Sequence, residues 1–194
     1  MKKLSELVTI TGGQIITRVI ADEAKGDEVV ERERRTIVAR TISEGCINPE
    51  GVVLNNYKVA SDFKKVTHVG DIVMKLSAPY NACLIEPGDE EMLVSSFCSI
   101  LRDVKGVDKR YLVAFLNSDV CQKQLANRVS GSIMSILSNG KLGEVEVPTP
   151  DMATQKAIGD FFEKTMKNRA LLKKIIKLED EKLTSMIAEA EDQK

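Results

Sequence analysis

The sequence predicts an α+β fold: a compact, mainly antiparallel β-rich body with packed helices over residues 1–150, then one long C-terminal helix over residues 151–194, patterned as a coiled coil. Three observations carry this. Short β-branched segments recur between Gly, Pro and Asn turns from Thr36 to Leu101, with no helices between them, which favours antiparallel pairing over a βαβ sheet. Helical texture begins only at Asp108. From Thr149-Pro150-Asp151 onward, Gly159 alone interrupts a helical pattern that has no further Pro.

Taken in order, Leu4 to Ile10 is a short apolar segment that breaks at Gly12-Gly13. Residues 21–35 are highly charged, from Asp22-Glu23 to Arg32-Glu33-Arg34-Arg35, and suit a solvated hairpin or loop. Thr36 to Ile42 reads as a strand, with turns at Gly45 and Asn48-Pro49. Val52-Val53-Leu54 and Tyr57-Lys58-Val59 are further strands. Gly70-Asp71 turns into Ile72–Leu76, Asn81–Ile85 follows, Pro87-Gly88-Asp89 turns again, and Met92 to Leu101 completes the block. Asp108 is placed to cap a helix whose Tyr111, Leu112, Phe115 and Leu116 share one face. Ser118 can cap a second helix carrying Val120, Leu125 and Val129, and Gly131 suits its C-terminal stop.

In the last helix Thr149 is the expected cap, Pro150 the first helical residue, and Asp151 a complement to the positive dipole end. About 40 residues at ~1.5 Å each give a rod of roughly 60 Å, longer than the body is wide. Phe162, Arg169, Ile176, Leu183 and Ala190 form one heptad row, and Ile158, Thr165, Leu172, Glu179 and Met186 the other. Phe161, Met166, Leu171, Ile175 and Ile187 widen the stripe beyond a two-stranded seam, which points to more than one partner. Folding back onto the body is the less favoured alternative.

Apolar residues make up 43% of the chain and aromatic residues 4%, with no Trp, so the core is aliphatic. The net charge of −1 removes the simplest argument for nucleic acid, and dividing the chain does not restore it: residues 1–150 carry 19 basic and 20 acidic groups, residues 151–194 nine of each. Any basic surface must be a local patch. Cys46, Cys83, Cys98 and Cys121 have neither zinc-site nor disulfide-framework spacing and suit buried reduced thiols. No apolar run reaches the ~18–20 residues of a membrane span, and no apolar segment follows the charged start as in a signal peptide, so a cytoplasmic protein is expected.

Catalytic signals are sparse. His68 is the lone histidine, in a strand-like stretch, where a structural role is the better reading. Gly140-Lys141-Leu142 lacks the Ser/Thr and the glycine spacing of a phosphate loop, and Glu86 to Glu91 suits a solvated turn better than a metal site. Ser77-Ala78-Pro79-Tyr80 is similar to the Asn/Asp-Pro-Pro-Tyr/Phe motif of amino-methyltransferases, but Ser and Ala replace its first two positions, and no glycine-rich loop for S-adenosylmethionine follows a strand. Pro79-Tyr80 reads as a turn.

An ordered set of weaker motifs is more telling. Leu4-Ser5-Glu6-Leu7 precedes Gly12-Gly13; Gly70-Asp71-Ile72-Val73 enters a strand; Tyr111-Leu112 leads to Leu116-Asn117-Ser118; Gly131-Ser132, Leu137-Ser138, Leu142, Val147-Pro148, Pro150, Gln155 and Ile158 follow. In this order and spacing the chain resembles the specificity subunit of type I restriction–modification systems, and more narrowly half of one: a single target-recognition domain with a single long helix. Thr154-Gln155 stands where the family has Glu-Gln.

The resemblance implies a non-catalytic DNA reader with no cofactor of its own. It also implies docking of methyltransferase subunits, which bind S-adenosylmethionine, and of helicase-nuclease restriction subunits. A half subunit would homodimerise on a split palindromic site. The candidate DNA contacts are Arg18, Arg40, Lys58, Lys64, Lys65, Lys75 and Ser132, with Arg32, Arg34 and Arg35 nearby. The candidate partner face is Ile158, Phe162, Leu172, Ile176, Leu183 and Met186. Two other readings stay open: an interaction adaptor with a degenerate recognition domain, and a solitary methyltransferase or nuclease.

Overall fold

A computed structural model of the chain describes residues 1–43, 45–129 and 136–191. The body contains β1 (Lys2–Lys3), α1 (Leu4–Leu7), β2 (Thr9–Gly12), β3 (Glu31–Ile37), β4 (Ile42–Ser43), β5 (Cys46–Ile47), β6 (Val53–Tyr57), β7 (Ile72–Lys75), β8 (Ala82–Leu84), β9 (Leu93–Val94) and β10 (Cys98–Arg102). Then come α2 (Lys109–Leu116), α3 (Asp119–Val129), α4 (Asn139–Gly143), β11 (Glu146–Val147) and the long α5 (Met152–Glu191). The class is α+β, with antiparallel sheets and a long C-terminal helix.

The central sheet has the order β2-β10-β7-β8 and is antiparallel throughout. The inner strand β7 is apolar on both faces because both of its faces are covered. Ile72 and Met74 pack with Leu112, Leu116 and Leu142, while Val73 and Ile100 point the other way, towards Ile37, Met92 and Val94. Full burial of each such aliphatic side chain is worth about 1.5–3 kcal/mol. The second sheet, β6-β3-β9, is smaller, and β3 and β9 run parallel in it. A third small cluster, Val19, Tyr57, Val66 and Leu93, lies against it.

Several local expectations change. The strand expected over Thr36–Ile42 stops at Ile37. Thr41 Oγ1 accepts the Val38 amide at 3.0 Å and donates to the Gly51 carbonyl at 2.8 Å, which closes a turn over Ala39–Thr41. Part of the charged segment is strand, since β3 begins at Glu31 and carries Arg32 to Arg35 with a bulge between Glu31 and Arg34. The two strands expected around Val53 and Tyr57 are one. His68 sits in a turn before β7, not in a strand. Val120 is exposed, and Cys121, Leu125 and Val129 form the buried face of α3. Gly131, the expected stop, lies outside the described residues. Of the four thiols, Cys46 is exposed at the β4–β5 hairpin, and Cys83, Cys98 and Cys121 are buried.

The helix caps follow local chemistry. Asp108 Oδ1 accepts the Arg110 and Tyr111 amides, and Ser118 Oγ accepts the Cys121 amide. At α5 the cap is Asp151, not Thr149: Asp151 Oδ1 accepts the Thr154 amide at 3.0 Å, and Thr154 Oγ1 donates to Asp151 Oδ2 at 2.7 Å. Pro150 stays outside the helix, where its carbonyl accepts from Gln155. The helix has 40 residues. Its first turns pack on α2, and every residue from Lys167 to Glu191 is exposed. It therefore lies on its own body first and carries an uncovered face afterwards.

Candidate nucleic-acid interface and partner helix

The structure gathers four of the candidate DNA contacts and separates the rest. Arg18 ends a tight turn over Ile16–Arg18, and the carbonyl of the next residue, Val19, accepts the Lys58 amide at 3.0 Å. Lys64 and Lys65 lie in another turn, Phe63–Lys65, whose Asp62 cap accepts the Lys64 amide. Lys65 Nζ donates to Gln14 Oε1 at 3.1 Å. Gln14, Val19, Tyr57, Asp62 and Leu93 line one small depression, so Arg18, Lys58, Lys64 and Lys65, which adjoin these residues or bond to them, flank its edge. Arg18, Lys58 and Lys64 are exposed. Lys58 is also paired with Asp27 at 3.1 Å; the Asp22 amide and then this lysine hold the Asp27 carboxyl below its ordinary range.

Lys75 ends β7 in the other sheet, where burial lowers its ammonium pKa. Arg40 lies on a separate turn beside Gly51. Ser132 lies outside the described residues. Arg35 is committed internally, donating to the Gly88 and Glu90 carbonyls at 2.8 Å each, which pins the acidic turn instead of leaving it loose. Burial within that turn raises the Asp89 pKa. Tyr80 is buried in the core, which confirms Pro79-Tyr80 as a structural turn with no ring available to stack on a base.

Sequence reasoning passed over two residues of the basic edge. Phe63 is 73% exposed between Asp62 and the two lysines, with its ring 4.2 Å from that of His68. Gln14 orients Lys65. An apolar ring inside Ser61-Asp62-Phe63-Lys64-Lys65 is a visible signal for the first; nothing local announces the second.

On α5 the candidate partner residues divide. Phe162 packs against the body's core, and with Met166 it fills the space under Gly45, where a Cβ would stand 2.7 Å from the Phe162 ring. A groove of about 210 Å³ runs between this part of the helix and the β4–β5 hairpin. Ile158 is partly exposed at 42%, while Leu172, Ile176, Leu183 and Met186 are 57–58% exposed. Leu171, Ile175, Leu178 and Ile187 are exposed beside them. At ~100° per residue these side chains cover roughly half the circumference of the distal helix. Lys177 makes one loose ion pair back to Glu50, at 3.6 Å.

The attachment is specific. Gln155, 2% exposed, accepts the Asp108 amide at 2.9 Å and donates to the Pro150 carbonyl at 2.8 Å. The Tyr111 hydroxyl donates to the Pro148 carbonyl at 2.7 Å. Arg110 pairs with Asp160 at 2.6 Å and Glu163 at 3.1 Å, and Lys167 with Arg110 holds the Glu163 carboxyl below its usual range.

A family model for the type I restriction modification DNA specificity domain matches residues 1–180. No curated protein sequence matches the chain. Among solved structures, a chain from work on complex assembly and conformational transition of the type I R-M system has a TM-score of 0.58 at 15% identity, over 89% of this chain and 39% of that one. The HsdS subunit from Thermoanaerobacter tengcongensis gives a TM-score of 0.54 at 18% identity, over 89% and 38%. At these identities the likeness is one of fold. The chain spans about two fifths of the length of each.

Proposed function

The chain belongs to the type I restriction–modification DNA specificity family, and from that premise we propose that it reads one half of a split DNA site and scaffolds the subunits that act there. A specificity domain recognises and does not catalyse, so methyl transfer and cleavage fall to partner methyltransferase and restriction subunits. The observation that carries the scaffold reading is the distal half of α5. From Leu171 to Ile187 it presents exposed apolar side chains over about half its circumference.

Exposed apolar surface of that extent is a docking surface. A sister helix in a coiled coil needs only the narrow heptad seam, which leaves width for a methyltransferase. Two chains joined there form a two-fold dimer whose recognition domains suit a palindromic split site. On the body, Arg18, Lys58, Lys64 and Lys65 are the proposed phosphate contacts, with Lys75, Arg40 and Ser132 as secondary candidates. Lys58 and Lys65 already have internal partners, so the chain alone binds DNA weakly and the methyltransferase adds backbone contacts. The proposed compartment is the cytoplasm.

The test is duplex DNA retention by the chain with and without its methyltransferase. Sequence-selective retention with the partner, lost as salt rises, supports the reading. Partner binding with no DNA selectivity contradicts it and leaves an interaction adaptor.

A further inference from the structure

The joint between the body and α5 is built more tightly than a tether requires. Gln155, Gly159, Phe162, Glu163 and Met166 lie along one helical face and meet the body at successive turns, by hydrogen bonds, close backbone approach, apolar packing and ion pairing. Gln155 ties the start of α2, through the Asp108 amide, to the start of α5, through the Pro150 carbonyl. This fixes the helix along its axis. Gly159 lets the two helices approach: a Cβ there would lie 2.9 Å from Arg110 Cβ and 3.0 Å from the Tyr111 backbone nitrogen. Arg110 reaches across to Asp160 and Glu163, which resists rotation.

We infer that Gln155, Gly159 and Arg110 are positioning residues that fix the angle between the recognition body and the helix, and so set the spacer accepted between the halves of a split DNA site. This rests on the specificity reading above. A length argument shows why stiffness matters. From Met166, whose side chain lies against Gly45, to Glu191 is roughly 37 Å of helix. A tilt of about 5° at the joint moves the far end by about 3 Å, close to the ~3.4 Å rise of one base pair. Telling apart spacers that differ by one base pair therefore needs an angle held within a few degrees. A glycine-permitted close approach, a buried two-ended amide and a forked ion pair supply that.

The test selects random-sequence duplex DNA on the complex that the full-length chain forms with its methyltransferase. Wild type, Gly159→Ala, Arg110→Ala and the conservative Arg110→Lys are compared, with thermal melting of each to establish folding. Wild type is expected to return two sequence elements at one spacing. Gly159→Ala and Arg110→Ala should return the same elements spread over spacings that differ by one base pair or more, and Arg110→Lys should narrow the spread again. If Gly159→Ala fails to fold, Arg110→Ala, which removes only partly exposed ion pairs, decides the matter. Variants that keep the single wild-type spacing, or that lose the sequence elements while folded, overturn the inference and leave the specificity reading intact. A wild-type complex that returns no two-part site overturns both.

Discussion

Arg102 forks onto Asp71: Nε donates to Oδ1 at 2.8 Å and Nη2 to Oδ2 at 2.7 Å, with the Asp71 side chain 4% exposed. Asp71 Oδ2 also accepts the His68 amide, and Arg102 Nη2 also donates to the Val66 carbonyl. One carboxylate thus closes the turn before β7 and binds the end of β10 to it. That is the physical reason for an aspartate in Gly70-Asp71-Ile72-Val73. Removing one partner of a largely buried pair strands the other. Asp71→Ala is expected to cost about 2–4 kcal/mol, read by urea unfolding. The double variant with Arg102→Ala should cost less than the sum of the two single losses.

Gln155 is the corresponding test of the helix joint. Gln155→Ala leaves the Asp108 amide and the Pro150 carbonyl without their partner, at about 1–3 kcal/mol. Loss of stability together with faster proteolytic release of α5 from the intact chain is expected. Unchanged proteolysis would mean that Phe162 and the ion pairs hold the helix alone.

Thiol chemistry separates one cysteine from three. Burial pushes the Cys98 and Cys121 thiols up to about 12, and Cys83 is raised further by burial and its neighbouring thiols. A thiol reagent at neutral pH should label Cys46 in the folded chain and the other three only after unfolding. Above the ordinary thiol value of 9.0 the unfolded chain loses protons that the folded chain keeps. The stability these thiols contribute is therefore whole below about 9 and falls as pH rises towards about 12. An alkaline melting series that is flat across this window would contradict the burial of these groups.

The basic edge predicts a salt signature. Replacing Lys64, which is exposed, should weaken binding of the methyltransferase-bound chain evenly across DNA sequences. The slope of log affinity against log salt should fall by about 0.9 for each phosphate contact removed. Phe63→Ala should leave that slope unchanged. Anisotropy titrations at several salt concentrations read both, and a slope unaffected at Lys64 removes it from the interface.

What the sequence disclosed was local. Asp108 and Ser118 were legible as caps because the chemistry of a cap lies within three residues, and Ile72 to Met74 because a strand covered on both faces is continuously apolar. The long helix was legible from the absence of breakers. Contacts between distant segments were not. The parallel pairing of Thr36 with Leu93 has no local signature, and neither does the hydrogen bond from Thr41 to Gly51 that ends β3 early. Phe162 sits in heptad register and looks like a seam residue, yet it packs beneath Gly45, which is remote in sequence. The basic edge was visible as four separate cations; only the fold brings Arg18 beside Lys58.

The most direct measurement of the central claim is sedimentation of the full-length chain with its methyltransferase, comparing wild type with the double variant Ile176→Glu, Leu183→Glu. Both side chains are more than half exposed and lie beyond the last contact with the body's core, so the variant should keep the body folded, as checked by circular dichroism. Wild type is expected to self-associate and to sediment with the methyltransferase, and the variant to sediment as a folded monomer with neither partner. A variant that still assembles would contradict the account of α5 as the scaffold.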